Sequence, residues 1–133
     1  MRREKDNHSR MPSDEDVETF IRSTFRSVWA LELLILLREN RDRSLSHDEM
    51  VKRLRGSDLV VRQSLESLAA AGVVIPEEDG AARYGPASAE LDSLTDRSEQ
   101  VYATSPDAVR RLIVAAATPG LTAFADAFRL RKD

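Results

Sequence analysis

The triplet His47-Asp48-Glu49 is the first place where acid–base or metal chemistry could arise, because imidazole and carboxylate groups exchange protons and bind cations. The other histidine, His8, lies far away in the sequence, and no ligand spacing links the two. Ser46 precedes the triplet, and a serine with glutamate three residues later is the capping box that begins a helix. The triplet is therefore interpreted as the start of a helix, and neither a catalytic site nor a metal site is predicted.

Other kinds of reactive site are equally poorly represented. The chain has no cysteine, so it offers no thiolate nucleophile and no cysteine-based metal site. Its five glycines are dispersed at predicted turns, and no phosphate-binding loop or G-x-S-x-G motif occurs. We predict a protein that is not an enzyme and that needs no cofactor.

A different set of polar side chains recurs along residues 57–70. With Val61, Leu65 and Leu68 on the inner stripe of a helix, the rotation of about 100° per residue puts a mainly polar face outside. That face carries Leu59, Gln63, Glu66, Ser67 and Ala70, with Arg62 on its flank. A face of this kind is typical of a binding surface and not of a catalytic site.

The surrounding pattern predicts a mainly helical fold with one small β-hairpin. Serines begin the predicted helices and glycines end the two central ones, with Gly56 and Gly72 in the position just after the last turn. "VVIPEEDGAARYGP" then predicts two short strands joined at Asp79-Gly80, with Pro76 on an edge. We predict a tail over 1–12 and a single domain over 13–133, with a core at 27–86 and a C-terminal helical extension at 87–133.

Length and composition agree with one globular domain of 133 residues, 41% hydrophobic and 32% charged. The longest apolar run, 28–37, is broken by Glu32 and is too short to span a bilayer, and the N-terminus lacks the apolar segment of a secretory signal. A cytoplasmic location is expected. The net charge of −3 argues against a domain that coats nucleic acid, although a local basic patch could still bind it.

Residues 27–86 resemble the winged helix-turn-helix domain of bacterial transcription regulators of the multiple-antibiotic-resistance and arsenic-repressor types. "LSHDEMVKRL", "VVRQSLESLAAAGVV" and "GAARYGP" carry the resemblance, which covers about half of the chain. It implies a winged helix-turn-helix fold with flanking N- and C-terminal helices. It also implies that the helix over 57–70 enters the major groove of double-stranded DNA and that the hairpin touches the adjacent backbone.

That resemblance gives the polar residues expected roles. Gln63 could contact adenine, and Arg62 could contact guanine or a phosphate. Ser67 could bond to an acceptor on either a base or a phosphate. Ser57 begins the helix and suits a phosphate. The remaining candidates are basic side chains that could hold the DNA backbone, namely Lys52, Arg53, Arg55 and Arg83.

The acidic hairpin favours an alternative. Residues 57–86 hold only two basic side chains against five acidic ones, and Glu77, Glu78 and Asp79 stand at the predicted hairpin tip, where regulators usually place arginine or lysine. The alternative is a winged-helix module that binds a protein through Leu59 and the acidic hairpin and does not bind DNA.

Apolar stripes in the C-terminal extension suggest a homodimer, which reading a palindromic site would require. The candidate dimerisation residues are Leu91, Leu94, Val101, Tyr102, Phe124 and Phe128. The same stripes could instead cover the core of one chain.

Overall fold

The computed structural model describes residues 12–117, which form six α-helices and one two-stranded antiparallel hairpin. The elements are α1 Asp14–Thr24, α2 Val28–Glu39, α3 His47–Leu54, α4 Asp58–Ala70, β1 Val74–Pro76, β2 Ala82–Tyr84, α5 Ala89–Thr104 and α6 Pro106–Ala117. The prediction of a mainly helical chain with a small hairpin is confirmed. Residues 1–11 of the predicted 1–12 tail, and the dimerisation candidates Phe124 and Phe128, lie outside the described residues.

Serine side chains begin the first five helices. The Oγ atoms of Ser13, Ser27, Ser46, Ser57 and Ser88 accept hydrogen bonds from backbone N–H groups in the first turn. At Ser13 and Ser46 an acidic side chain also bonds back to the cap, which completes a capping box. Each such cap stabilises its helix by about 1 kcal/mol, so the serines explain where these helices begin.

Helix α2 lies at the centre of the packing. Its leucines 31, 33, 34 and 37 are at most 1% exposed, as expected for a helix that is apolar nearly all round. It contacts α3, α4 and β2, and it also contacts α6. Helices α1, α5 and α6 pack on one another, so α2 joins that group to the unit formed by α3, α4 and the hairpin.

The hairpin is fastened to the start of α3. Val74 pairs with Tyr84 and Pro76 with Ala82, and Ala82 also exchanges two backbone hydrogen bonds, of 2.9 and 3.0 Å, with Leu45. Strand β2 therefore lies between Leu45 and β1, which puts Pro76 on the edge strand as predicted. Asp79 and Gly80 both have positive φ, of 62° and 80°, as the tight turns of hairpins require.

One prediction about the helix ends is wrong. Gly72 adopts the expected left-handed conformation after α4, with φ of 81°, but Gly56 does not adopt it after α3. The left-handed residue there is Arg55, with φ of 58° and ψ of 36°. The backbone therefore reverses one residue earlier than the glycine suggested, and only 55–57 connect α3 to α4.

Candidate nucleic-acid interface

Helix α4 has the two faces that its sequence predicts. Val61 and Leu68 are fully buried and Leu65 is 8% exposed, whereas Arg62 and Gln63 lie at the surface. Glu66 is also exposed. The outer face of α4 can therefore reach a partner without any change in the core.

The two predicted serine contacts are partly used within α4 itself. Ser57 Oγ accepts a 3.1 Å hydrogen bond from the backbone N–H of Val60, and Ser67 Oγ donates a 3.1 Å bond to the carbonyl of Ser64. Ser57 keeps its hydroxyl proton for an external acceptor, whereas Ser67 keeps only lone pairs and is half-buried. Of the polar candidates on α4, Arg62 and Gln63 have the freest side chains.

Four basic side chains lie on or next to the connection between α3 and α4, two in the last turn of α3, one in the connection and one in the second turn of α4. Lys52, Arg53, Arg55 and Arg62 are all exposed, and none of them forms an ion pair with any residue of 12–117. We call this group the basic corner. Six other arginines in the same range are ion-paired: Arg22, Arg38, Arg43, Arg83, Arg97 and Arg110.

Arg83 is separated from the basic corner by its own partner. Its Nε donates a 2.9 Å hydrogen bond to Glu77, whose other carboxylate oxygen accepts a 2.5 Å bond from the hydroxyl of Ser44. The bonds from Ser44 and Arg83 lower the pKa of Glu77 below its ordinary value. The charges of Arg83 and Glu77 offset each other, which leaves Glu78 and Asp79 as the exposed acids of the hairpin tip that have no ion pair within 12–117.

A bond between His47 and Asp58 was not foreseen from the sequence. His47 Nε2 lies 2.5 Å from Asp58 Oδ1, which joins the first turns of α3 and α4. Because an ionised carboxylate only accepts, the ring donates from Nε2. A Cβ added at Gly80 would lie 3.3 Å from the Cβ of His47, so the hairpin turn also packs here. His47 thus holds α3, α4 and the hairpin in one arrangement.

A second cluster of charged groups joins α2 and β2 to α5. The guanidinium of Arg38, only 8% exposed, donates hydrogen bonds to Glu99 and Asp96 and lies 5.3 Å from the ring centre of Tyr84. Tyr84 Oη donates a 2.5 Å hydrogen bond to Asp92, and burial together with this bond raises the pKa of Tyr84 to about 12. A phenol with that pKa keeps its proton at neutral pH and continues to donate it to Asp92. The bonds of Arg38 and Tyr84 therefore hold α2 and β2 against α5, and we call this cluster the clamp.

Two shallow clefts flank this clamp. One, of about 350 Å³, lies between the end of α2 and α5, and the other, of about 550 Å³, lies beside Tyr84 and the start of α5. Among residues 12–117 no group of three or more histidine or acidic side chains could hold a metal ion. No helix in that range is long and apolar enough to cross a membrane.

The predicted dimer stripe on α5 packs against its own chain. Leu91, Leu94 and Val101 are half-buried against the core, and Tyr102 Oη donates a 2.8 Å hydrogen bond to Glu32 on α2. Much of this stripe is therefore internal, and its part in a dimer stays a prediction.

Comparison of the chain with protein-family models, with curated proteins and with solved structures gave no match.

Proposed function

We propose that the protein is a sequence-specific DNA-binding transcriptional regulator of the winged helix-turn-helix type, acting as a homodimer in the bacterial cytoplasm. Helix α4 would enter the major groove, α3 would cross the backbone, and the hairpin would be the wing. Three features support this assignment: the three-residue connection over 55–57, the hairpin directly after α4, and the Leu45–Ala82 bridge that fastens it to α3.

The basic corner is the observation that carries the proposal. Lys52, Arg53, Arg55 and Arg62 lie exposed without an ion-pair partner in 12–117, where six of the other nine arginines are ion-paired and the remaining three lie elsewhere in the chain. DNA phosphates would supply the missing negative charge, and the charge density of a duplex suits cations spread around one helix corner.

The left-handed conformation of Arg55 also supports the DNA-binding proposal. A left-handed backbone costs an ordinary L-residue about 1–2 kcal/mol, and glycine would remove most of that strain. Strained residues of this kind cluster at functional sites. Arginine at this position places a cation at the tip of the connection, where a phosphate contact would repay the strain.

The acidic residues oppose DNA less than their number suggests. Asp58 is bonded to His47 and Glu77 to Arg83 and Ser44, so both carboxylates already have donors. Glu78 and Asp79 stay exposed at the hairpin tip, and we infer that the tip stays away from the phosphates. Arg83 would then contribute the least of the eight candidate DNA contacts.

The remaining roles follow from position and chemistry. Gln63 would bond adenine through its amide and Arg62 would take guanine or a phosphate. The start of α4, with the free hydroxyl proton of Ser57, would take a phosphate, and Ser67 would accept a bond from a base amino group. Lys52, Arg53 and Arg55 would hold the backbone.

The test is a fluorescence-polarisation titration of the purified protein against a randomised duplex pool at two salt concentrations, followed by sequencing of the bound fraction. We expect one enriched palindromic motif and an affinity that falls as salt rises. Gln63→Ala should flatten the base preference at one position. Arg53→Ala should weaken binding to every sequence alike and lower the salt slope by about 0.9.

Arg111→Ala is the matched control for Arg53→Ala. Arg111 is also exposed and also lacks an ion pair within 12–117, but it lies on α6, which packs on α1 and α5. Its replacement should leave the salt slope unchanged. Absence of binding at low salt, or an equal effect of both arginine variants, would refute the proposal.

A protein-binding module is the second candidate, and the exposed apolar side chains favour it. Leu59 is 55% exposed and Trp29 38% exposed, both near the start of α4, while the hairpin tip is acidic. If DNA does not bind, a protein partner with a basic rim and an apolar centre should bind there, and Leu59→Asp should abolish its capture.

A further inference from the structure

Leu59 is the single leucine in the range 12–117 that lies at the surface, with 55% of its area exposed. The other leucines there are buried or half-buried. An isolated apolar side chain at the surface is ordinary, but this one lies in the first turn of α4, beside the basic corner. Its place on the candidate DNA-binding helix suggests that a group of the bound partner covers it.

The backbone beneath Leu59 is held from three sides. Ser57 caps the helix, Asp58 is bonded to His47, and Trp29 and Val60 both approach Gly56. A Cβ added at Gly56 would lie 3.6 Å from each of them, so this corner is packed at ordinary contact distance. Leu59 is thus presented in a defined position, which selective recognition of a small group requires.

The major groove offers one apolar group to such a side chain. Each base pair presents donors and acceptors there, and thymine alone adds a methyl group, at C5. In helix-turn-helix proteins, the first turn of the recognition helix meets the base edges. Leu59 has no polar atom to offer in its side chain, so the thymine methyl is the base group that it can recognise.

We propose that Leu59 packs on the methyl group of a thymine and so specifies that base, an inference that depends on the proposed DNA-binding function. Gln63 lies one helical turn further on the same face of α4, at a Cβ separation of about 5–6 Å. Base pairs are stacked about 3.4 Å apart. The thymine bound by Leu59 therefore lies within two base steps of the adenine bound by Gln63.

The test replaces each thymine of the selected half-site, one at a time, with deoxyuridine, which lacks only the methyl group. At one position near the adenine, the wild-type protein should bind the uracil duplex about three- to fivefold more weakly, as loss of one buried methyl implies. Leu59→Ala should bind the thymine and uracil duplexes equally. Ile75→Ala, which shortens an exposed apolar side chain on β1, should keep the wild-type difference.

The outcomes separate this inference from the function on which it depends. An enriched motif with equal affinity for thymine and uracil at every position would overturn the role of Leu59 and leave DNA recognition standing. A thymine preference that persists in Leu59→Ala would also overturn it. Failure to enrich any sequence would refute the proposed function, and this inference with it. The uracil comparison on the wild-type protein needs no variant to fold.

Discussion

Replacement of Arg55 with glycine should make the protein more stable and its binding to DNA weaker. Arg55 has φ of 58° and ψ of 36°, and its backbone N–H bonds to carbonyls of the last turn of α3. Glycine adopts this conformation without a Cβ clash and keeps those backbone bonds. The Arg55 side chain is exposed and has no ion pair within 12–117, so its removal should leave the packing unchanged.

The expected gain is the difference between two terms. Relief of the left-handed strain contributes about 1–2 kcal/mol, and the added flexibility of glycine in the unfolded chain subtracts about 0.4–1 kcal/mol. The free energy of unfolding should rise by about 0.5–1 kcal/mol, which for a chain of this size raises Tm by roughly 2–4 °C. Loss of one phosphate contact should lower the slope of log affinity against log salt by about 0.9.

Urea and thermal unfolding followed by circular dichroism give the stability, and polarisation titrations over a salt series give the slope. Arg55→Ala is the matched control, because alanine removes the cation and retains the Cβ that causes the strain. It should show the same loss of affinity as Arg55→Gly without the gain in stability. If the glycine variant is no more stable than the alanine variant, the conformation of Arg55 is not strained and its support for a functional role is lost.

Three further predictions concern the groups that hold the elements together. Because the pKa of Tyr84 is raised from 10.0 to about 12, the stability that its protonated form contributes is complete below pH 10 and is lost as pH rises towards 12. Tyr84→Phe should remove this part of the alkaline loss of stability, which is on the order of 2 kcal/mol. Urea titrations at pH 9 and pH 12 measure the difference. Arg38→Ala should lower the free energy of unfolding by about 2 kcal/mol. This is less than the roughly 3–5 kcal/mol for breaking a fully buried ion pair, because the carboxylate partners of Arg38 reach solvent. An unchanged urea midpoint would contradict the clamp. His47→Ala should lower the free energy of unfolding by about 1 kcal/mol, because the bond to Asp58 is lost. It should also weaken binding to all DNA sequences alike, because the carboxylate of Asp58 is then unpaired. A double variant that adds Asp58→Asn should recover the affinity for DNA.

Local patterns in the sequence predicted the elements well, because the forces that set them act over a few residues. The serine caps, the inner stripe of α4 and the Asp79-Gly80 turn are each decided by neighbours within one turn or one strand. Gly56 shows where this reasoning fails. Arg55 adopts the left-handed conformation instead, and Trp29 and Val60 lie beside Gly56, neighbours that the local pattern does not show.

The charge pairing at the candidate site could not be predicted, because it joins residues that are distant in the sequence. Arg83 was expected to touch DNA, and no local rule indicated that Glu77 and Ser44 would form one network with it. The His47–Asp58 bond depends on how α3 and α4 cross, and the clamp of Arg38 joins α2 to α5. Exposure and residue type were predictable for the basic corner, but its lack of ion pairs within 12–117 became visible only with the neighbours in position.

We expect the bridge between Leu45 and Ala82 to make the stretch between them unfold as one cooperative unit. Its two hydrogen bonds close a loop that contains all of α3, α4 and β1, and both residues are fully buried. Separation of the hairpin from Leu45 would free the N-terminal end of α3 at the same moment. The amide hydrogens of Leu45 and Ala82 should therefore exchange with solvent at the same slow rate, and that rate should report the opening of the whole unit.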